Sequence, residues 1–197
     1  AYDMYGYGET VTLLGFTSKW WHVQIRGYTG FVPADGSPLE QRTGNYYDGY
    51  ATAQVHNPIS TDRLNLRVEK TENSASLGKY YNGCTVAIVQ KGNDGWSRVR
   101  IGNLEGYMKN QFLDFSAPKD QQTEMLPKVT IRNPNGQGAN LRRQASTRVD
   151  AVALYPNGTQ VQVLGIAGEW CHVLIDGEIG FMMTRYLVPR LSFESTR

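Results

Sequence analysis

The chain has 197 residues, a net charge of +2, 19% charged and 40% hydrophobic residues, 21 glycines and 12 tyrosines. It has no basic tract or acidic tail, which excludes the electrostatic footprint of a nucleic-acid binder. No apolar run approaches the ~18 residues that cross a bilayer as a helix, so membrane insertion is not expected.

In chain order, the first strand signals are Val11-Thr12-Leu13-Leu14 after Gly8, then Trp20-Trp21-His22-Val23-Gln24-Ile25, a turn at Arg26-Gly27, and a return at Gly30-Phe31-Val32-Pro33. Residues 1–40 read as a partial module. A polar linker, 41–52, carries Tyr46, Tyr47 and Tyr50, which either dock between modules or stand free.

A complete module is expected over 53–116. Leu64-Asn65-Leu66-Arg67 alternates apolar and polar, as a half-buried strand does. A polar loop follows, and Asn82-Gly83 is a turn signal. Val86-Ala87-Ile88-Val89 and Trp96 to Ile101 are the next strands. Gly102-Asn103 makes a hairpin, Glu105-Gly106-Tyr107-Met108 returns, and 110–113 closes the unit.

Residues 117–127 form a second, charged linker. A third module, 128–190, repeats the second step for step, and a polar tail spans 191–197. Asn57-Pro58 becomes Asn133-Pro134, Leu-Asn-Leu-Arg becomes Ala139-Asn140-Leu141-Arg142, and Asn82-Gly83 becomes Asn157-Gly158. The strand Val161-Gln162-Val163-Leu164 precedes Trp170, and Asp176-Gly177, Gly180-Phe181 and Tyr186-Leu187 complete the unit.

One pattern thus occurs three times: Trp-x-x-Val-x-Ile, with Gly ten positions after the Trp, at Trp20/Gly30, Trp96/Gly106 and Trp170/Gly180. Repetition at a fixed period identifies the unit of folding before any local reading. Short strands between Gly-, Pro- and Asn-rich turns point to an all-β chain of small five-stranded barrels. The first lacks a strand matching Asn-Leu-Arg, and the edge this leaves would be prone to pairing. The chain starts with Ala and opens inside a repeat, which reads as a piece of a longer, processed protein, so a missing signal peptide says nothing.

Residues three apart on a strand face opposite sides. Trp20, Trp96 and Trp170 therefore point away from the row of Val23, Val99 and Val173, and each is a half-exposed platform or a loop seal. Trp21 shares the face of Val23 and is expected in the core or in space left by the absent strand. Ser97 and Cys171 hold that place in the other modules. Cys84 and Cys171 sit at different positions of different modules, which reads as two partly buried free thiols. Cys171-His172 resembles a nucleophile and base, but strand neighbours point to opposite faces, so no dyad is expected. No Cys/His pair has metal-ligand spacing, and neither metal nor cofactor is expected. Arg67 and Arg142-Arg143 could hold a carboxylate or act as surface charges.

The order Asn-Leu-Arg, turn, Gly-x-x-Val-x-Val, Trp-x-x-Val, Gly-(Tyr/Phe) resembles the bacterial SH3 family across most of the chain. The resemblance implies tandem SH3-like barrels in a secreted or envelope protein, with a non-catalytic binding or targeting role toward peptidoglycan peptides. It also implies that any catalytic domain lies elsewhere in a longer protein. The expected ligand-binding residues are Trp20, Trp96, Trp170, Tyr107, Tyr186, Arg67 and Arg142, forming shallow aromatic grooves bordered by arginines. The alternative role is a structural scaffold that associates with a protein partner or with copies of itself, by strand addition to the first module.

Overall fold

A computed structural model describes residues 12–16, 20–25, 28–33, 47, 50–117, 125–189 and 191. The first repeat contributes β1 (Thr12–Phe16), β2 (Trp20–Ile25) and β3 (Tyr28–Pro33). The second contributes β4 (Ala51–Val55), β5 (Leu64–Arg67), β6 (Ser76–Tyr80), β7 (Thr85–Gln90), β8 (Trp96–Ile101), β9 (Leu104–Lys109) and β10 (Leu113–Asp114). The third contributes β11 (Lys128–Ile131), β12 (Ala139–Arg142), β13 (Ala151–Tyr155), β14 (Gln160–Ala167), β15 (Trp170–Ile175), β16 (Glu178–Met183) and β17 (Leu187–Val188). Single 3₁₀ turns, Asn110–Phe112 and Thr184–Tyr186, lead into β10 and β17. The Gly8 opening, the Arg26-Gly27 turn, Tyr46, residues 119–123, the tail beyond 191 and the side chain of Trp20 lie outside the described residues.

The described chain is all-β, and the second and third repeats have one topology. Antiparallel pairing runs β6–β5–β9–β8–β7–β4–β10 in one and β13–β12–β16–β15–β14–β11–β17 in the other. Each barrel fills with the inward rows of its strands. In the second repeat these are Leu66, Val86, Val99, Ile101 and Met108; in the third they are Ile131, Leu141, Val163, Val173 and Met182. Bulges recur at matched places, between Leu66 and Arg67 and between Leu141 and Arg142, and add the twist that lets a small sheet close on itself.

The sequence motifs have backbone reasons. Asn82 accepts the Asn57 backbone N–H through Oδ1 (2.7 Å) and donates from Nδ2 to the Asn57 carbonyl (3.0 Å). Asn157 does the same with Asn133, at 2.8 Å both ways. Each asparagine pair ties the loop before the Asn-Leu-Arg strand to the turn before the central strand. The Gly ten positions after the Trp is required by close approach. A Cβ on Gly106 would lie 2.6 Å from the Arg67 carbonyl oxygen, and one on Gly180 2.7 Å from that of Arg142.

Two features differ from the sequence reading. Strands β4, β6, β10, β11, β13 and β17 add to the expected set. Trp21, expected in the core or in space left by the absent strand, is 46% exposed, whereas Ser97 and Cys171 at the matching positions are buried. The parity was right, because Val23 on the same face is buried. What differs is the cover: Ser97 is roofed by Asn110, whose Oδ1 accepts its hydroxyl at 2.6 Å, and the described residues of the first repeat supply no such roof.

Among the described residues, the strand pairing of the first repeat is with the third and not with the second, its neighbour in sequence. Strand β1 pairs with β13, with Phe16 opposite Leu154, and strand β14 pairs with β6, with Gly165 opposite Tyr80. The spatial order is therefore second, third, first.

Candidate functional site

An open cleft of about 690 Å³ lies on the third repeat. Its sides come from β12 and the loop before it, the end of β13, the start of β15 and the 3₁₀ turn. Trp170, Tyr186 and Arg142, three of the expected binding residues, all line it. Met183 and Arg185 complete the aromatic side, and Leu154 and Pro156 form part of the opposing wall. Trp170 is half-buried, as its parity opposite the buried Val173 requires.

The charge in the cleft is of one sign. Its described lining includes two arginines and neither Asp nor Glu. Arg142 donates one guanidinium N–H to the Val149 carbonyl, which staples the polar loop after β12. The Arg185 guanidinium carbon lies 4.9 Å from the Tyr186 ring centroid, within cation–π range. A planar, permanently charged fork beside an indole and a phenol suits a carboxylate on an extended chain.

The second repeat arranges the same strands differently. Trp96, Tyr107 and Arg67 share one outer face, with Arg67 opposite Tyr107 in the β5–β9 pairing. Arg67 donates to the Ser74 carbonyl at 2.6 Å. The Lys109 ammonium lies 5.7 Å from the Trp96 ring and pairs with Glu72, while that of Lys70 lies 5.7 Å from the Tyr107 ring and 3.0 Å from Asp94. Arg98 and Arg100 converge on Glu105, and the hydrogen bond from Arg100 leads in holding that carboxyl below its usual range. Lys70, Lys109, Arg98 and Arg100 are thus engaged by acids of the same repeat, and Arg67 by a backbone carbonyl. Trp20 belongs to the expected set, but only its backbone is described, paired with Pro33.

Two of the linker tyrosines, Tyr47 and Tyr50, contact the second repeat. The Tyr47 hydroxyl donates to the Thr85 carbonyl at 3.0 Å, and the Arg100 guanidinium lies 5.0 Å from the Tyr50 ring.

No dyad forms at Cys171-His172. Cys171 points into the core of the third repeat, and burial pushes its thiol up to about 12. His172 faces the other way, onto Tyr80 of the second repeat. Cys84 is buried in the second core, and desolvation raises its thiol further still. A thiolate is the reactive form, so both cysteines should resist an alkylating reagent in the native chain at pH 7.5 and react fully in denaturant. A thiol titration checks this, and fast modification of either native thiol would contradict the burial.

A family model described as Bacterial SH3 domain matches residues 62–114 and 137–188, just over half of the chain. The chain belongs to the bacterial SH3 family. The two matched SH3 segments span β5 to β10 and β12 to β17 of the two complete barrels. A Bacillus subtilis (strain 168) protein named "Putative N-acetylmuramoyl-L-alanine amidase YrvJ" is 21% identical over 177 residues, covering 86% of this chain and 34% of its own length. The chain thus spans about a third of that relative. Among solved structures, NlpC2 and NlpC1 of Trichomonas vaginalis are each 17% identical with a TM-score of 0.35; the likeness covers 72% and 74% of this chain and 48% of each of theirs.

The contacts between the SH3 repeats were not read from the sequence. Tyr80, at the end of β6, is 1% exposed, and its hydroxyl is hydrogen-bonded to His172 Nδ1 at 2.9 Å. The His172 ring stacks on Phe181, with centroids 4.2 Å apart and planes at 4°. Tyr155, at the end of β13, repeats the contact with His22 Nδ1 at 2.6 Å. Their signals are faint but present: Tyr lies three residues before the turn glycine at Tyr80/Gly83 and Tyr155/Gly158, and His lies two after the Trp at His22 and His172.

Proposed function

We propose that this chain is a non-catalytic targeting segment of an envelope or secreted protein, and that the cleft of the third repeat holds an extended peptidoglycan peptide. The observation that supports it most is the convergence of Trp170, Tyr186 and Arg142 on one cleft whose described lining has no acidic side chain. Indole and phenol faces would flank the peptide, and Arg142 and Arg185 would meet a carboxylate on it. Trp96, Tyr107 and Arg67 of the second repeat would add a weaker contact, since two weak sites on one chain gain through effective concentration. The relative named as an N-acetylmuramoyl-L-alanine amidase supports a wall-side role, and a location outside the cell or in its wall follows from the same reading. Domain limits of 53–116 and 128–190 for the complete barrels, with a partial unit at 1–40, belong to it too.

Co-sedimentation with insoluble peptidoglycan tests the reading. The native chain should pellet, and Trp170→Ala, with its fold verified by circular dichroism, should lose about tenfold in affinity, the scale of a buried aromatic anchor. Trp96→Ala should lose less. A folded Trp170→Ala that pellets like the native chain would remove the cleft from the account.

A further inference from the structure

We infer that the first repeat is a clamp for the third repeat's cleft, its strand β1 and His22 holding in place the strand end 154–156 that walls the cleft; the inference rests on the cleft being the binding site. Leu154 and Pro156 both line the cleft. Tyr155 lies between them and, by strand alternation, points to the other side, where it is fully buried and bonded to His22. The wall is gripped along both edges. On one edge Ala139 and Asn140 of β12, themselves cleft residues, pair with Tyr155 and Leu154. On the other, Phe16 of β1 pairs with Leu154. The approach is close enough to dictate sequence. A Cβ on Gly15 would stand 2.6 Å from the Leu154 carbonyl oxygen and 3.3 Å from the Tyr155 ring.

The same device occurs a second time, which marks it as a built feature. The third repeat grips β6 of the second through Gly165 and His172, and a Cβ on Gly165 would lie 2.7 Å from the Tyr80 ring and 2.8 Å from the Lys79 carbonyl oxygen. Tyr81, which follows Tyr80 as Pro156 follows Tyr155, packs against both cores. Among the described residues, the second repeat has no such grip of its own. In the matching register Gln90 stands where Gly15 and Gly165 stand, and Arg98 stands where His22 and His172 stand. The glycine–histidine pair is therefore kept on the two repeats that hold a neighbour and is absent from the one that does not. The first repeat retains both residues. Its part is to position another repeat's site.

The test compares the full chain with Tyr155→Phe, which keeps the ring and removes the hydroxyl, and with His22→Leu. Two measurements are made on each: retention on insoluble peptidoglycan, and amide hydrogen exchange over 139–142 and 154–157, with 84–89 of the second core as internal reference. Trp170→Ala reports on the cleft itself. The clamp predicts faster exchange in both wall segments, unchanged exchange over 84–89, and retention weakened threefold or more, while Trp170→Ala binds least. If Trp170→Ala loses binding but both latch variants bind as the native chain does, the clamp is overturned and the cleft stands. If Trp170→Ala binds normally, the cleft is not the wall-binding site, and the exchange data alone decide: native protection in both latch variants overturns the clamp, and loosening confined to the wall segments supports it.

Discussion

Gly180→Val is expected to unfold the third repeat and to cost about 3 kcal/mol or more, beyond ordinary overpacking, because backbone and not a flexible side chain blocks the new atoms. A Cβ there would stand 2.7 Å from the Arg142 carbonyl oxygen and 2.9 Å from two carbons of Leu141. Neither neighbour can yield cheaply. Arg142 O belongs to the strand that crosses β16, where Arg142 lies opposite Phe181, and Leu141 is buried at 1% exposure in the core. A repeat of this size is a marginal fold on its own, so a loss on this scale consumes much of its stability. Because the third repeat sits between the other two, its loss also frees Tyr80 from His172 and Tyr155 from His22. Thermal unfolding followed by near-ultraviolet circular dichroism should show the midpoint falling by more than about 10 °C, at roughly 4–8 °C per kcal/mol for a domain of this length. A midpoint within 2–3 °C of native, roughly what measurement scatter and a fraction of a kcal/mol produce, would mean that the crossing strand is not where it is described.

That glycine was readable as a signal because its cause is local to the repeat. Trp170, Val173 and Gly180 lie on one hairpin, and the strand that crosses it comes from the same repeat, so the spacing returns whenever the barrel does. The asparagine pairs are legible for the same reason, each closing a loop inside one barrel. Strands β6 and β13 were not legible as strands. Ser76-Leu77-Gly78-Lys79-Tyr80 is short, polar and glycine-containing, and part of its pairing comes from β14 of the next repeat. Ala151-Val152-Ala153-Leu154-Tyr155 is held at its end by β1. Pattern within a window of ten residues does not report a partner that lies elsewhere in the chain.

The candidate site divides along the same line. Trp170, Tyr186 and Arg142 were legible as residue types at repeated positions, and the structure gathers them. The opposing wall at Leu154 and Pro156 and the second arginine, Arg185, were not. Gln111 stands in the second repeat where Arg185 stands in the third, so the repeat offers no signal for it. The latches join residues 92 and 133 positions apart, and no single-repeat motif contains both partners. Trp21 shows the limit from the other side: strand parity gives the face, and whether that face is inside depends on what covers it.

The latches also predict how the array responds to acid. His172 is packed by the Tyr80 hydroxyl, the stacked Phe181 ring and the Gly102 turn, none of which carries a negative charge. Burial therefore favours the neutral ring and lowers its pKa from 6.5 to about 3. The same cause lowers His22 to about 4. A folded-state pKa below the unfolded one means that the unfolded chain binds the proton first. Stability is then fully present above the unfolded value near 6.5 and is lost as pH falls toward the folded values. Each histidine should remove about 1.4 kcal/mol per pH unit below 6.5, hence roughly 2 kcal/mol each and about 4 kcal/mol together by pH 5. Urea unfolding at pH 7.5, 6 and 5 should show the midpoint falling steeply across this range. In His22→Gln/His172→Gln, which removes both titrating rings and leaves polar groups to meet the tyrosine hydroxyls, the fall should be much shallower. An identical pH dependence in the native and double-variant chains would show that the rings are not held neutral at the seams. A steep native profile flattened by the substitution would show instead that the contacts between repeats, and with them the order second, third, first, hold only where these histidines stay uncharged.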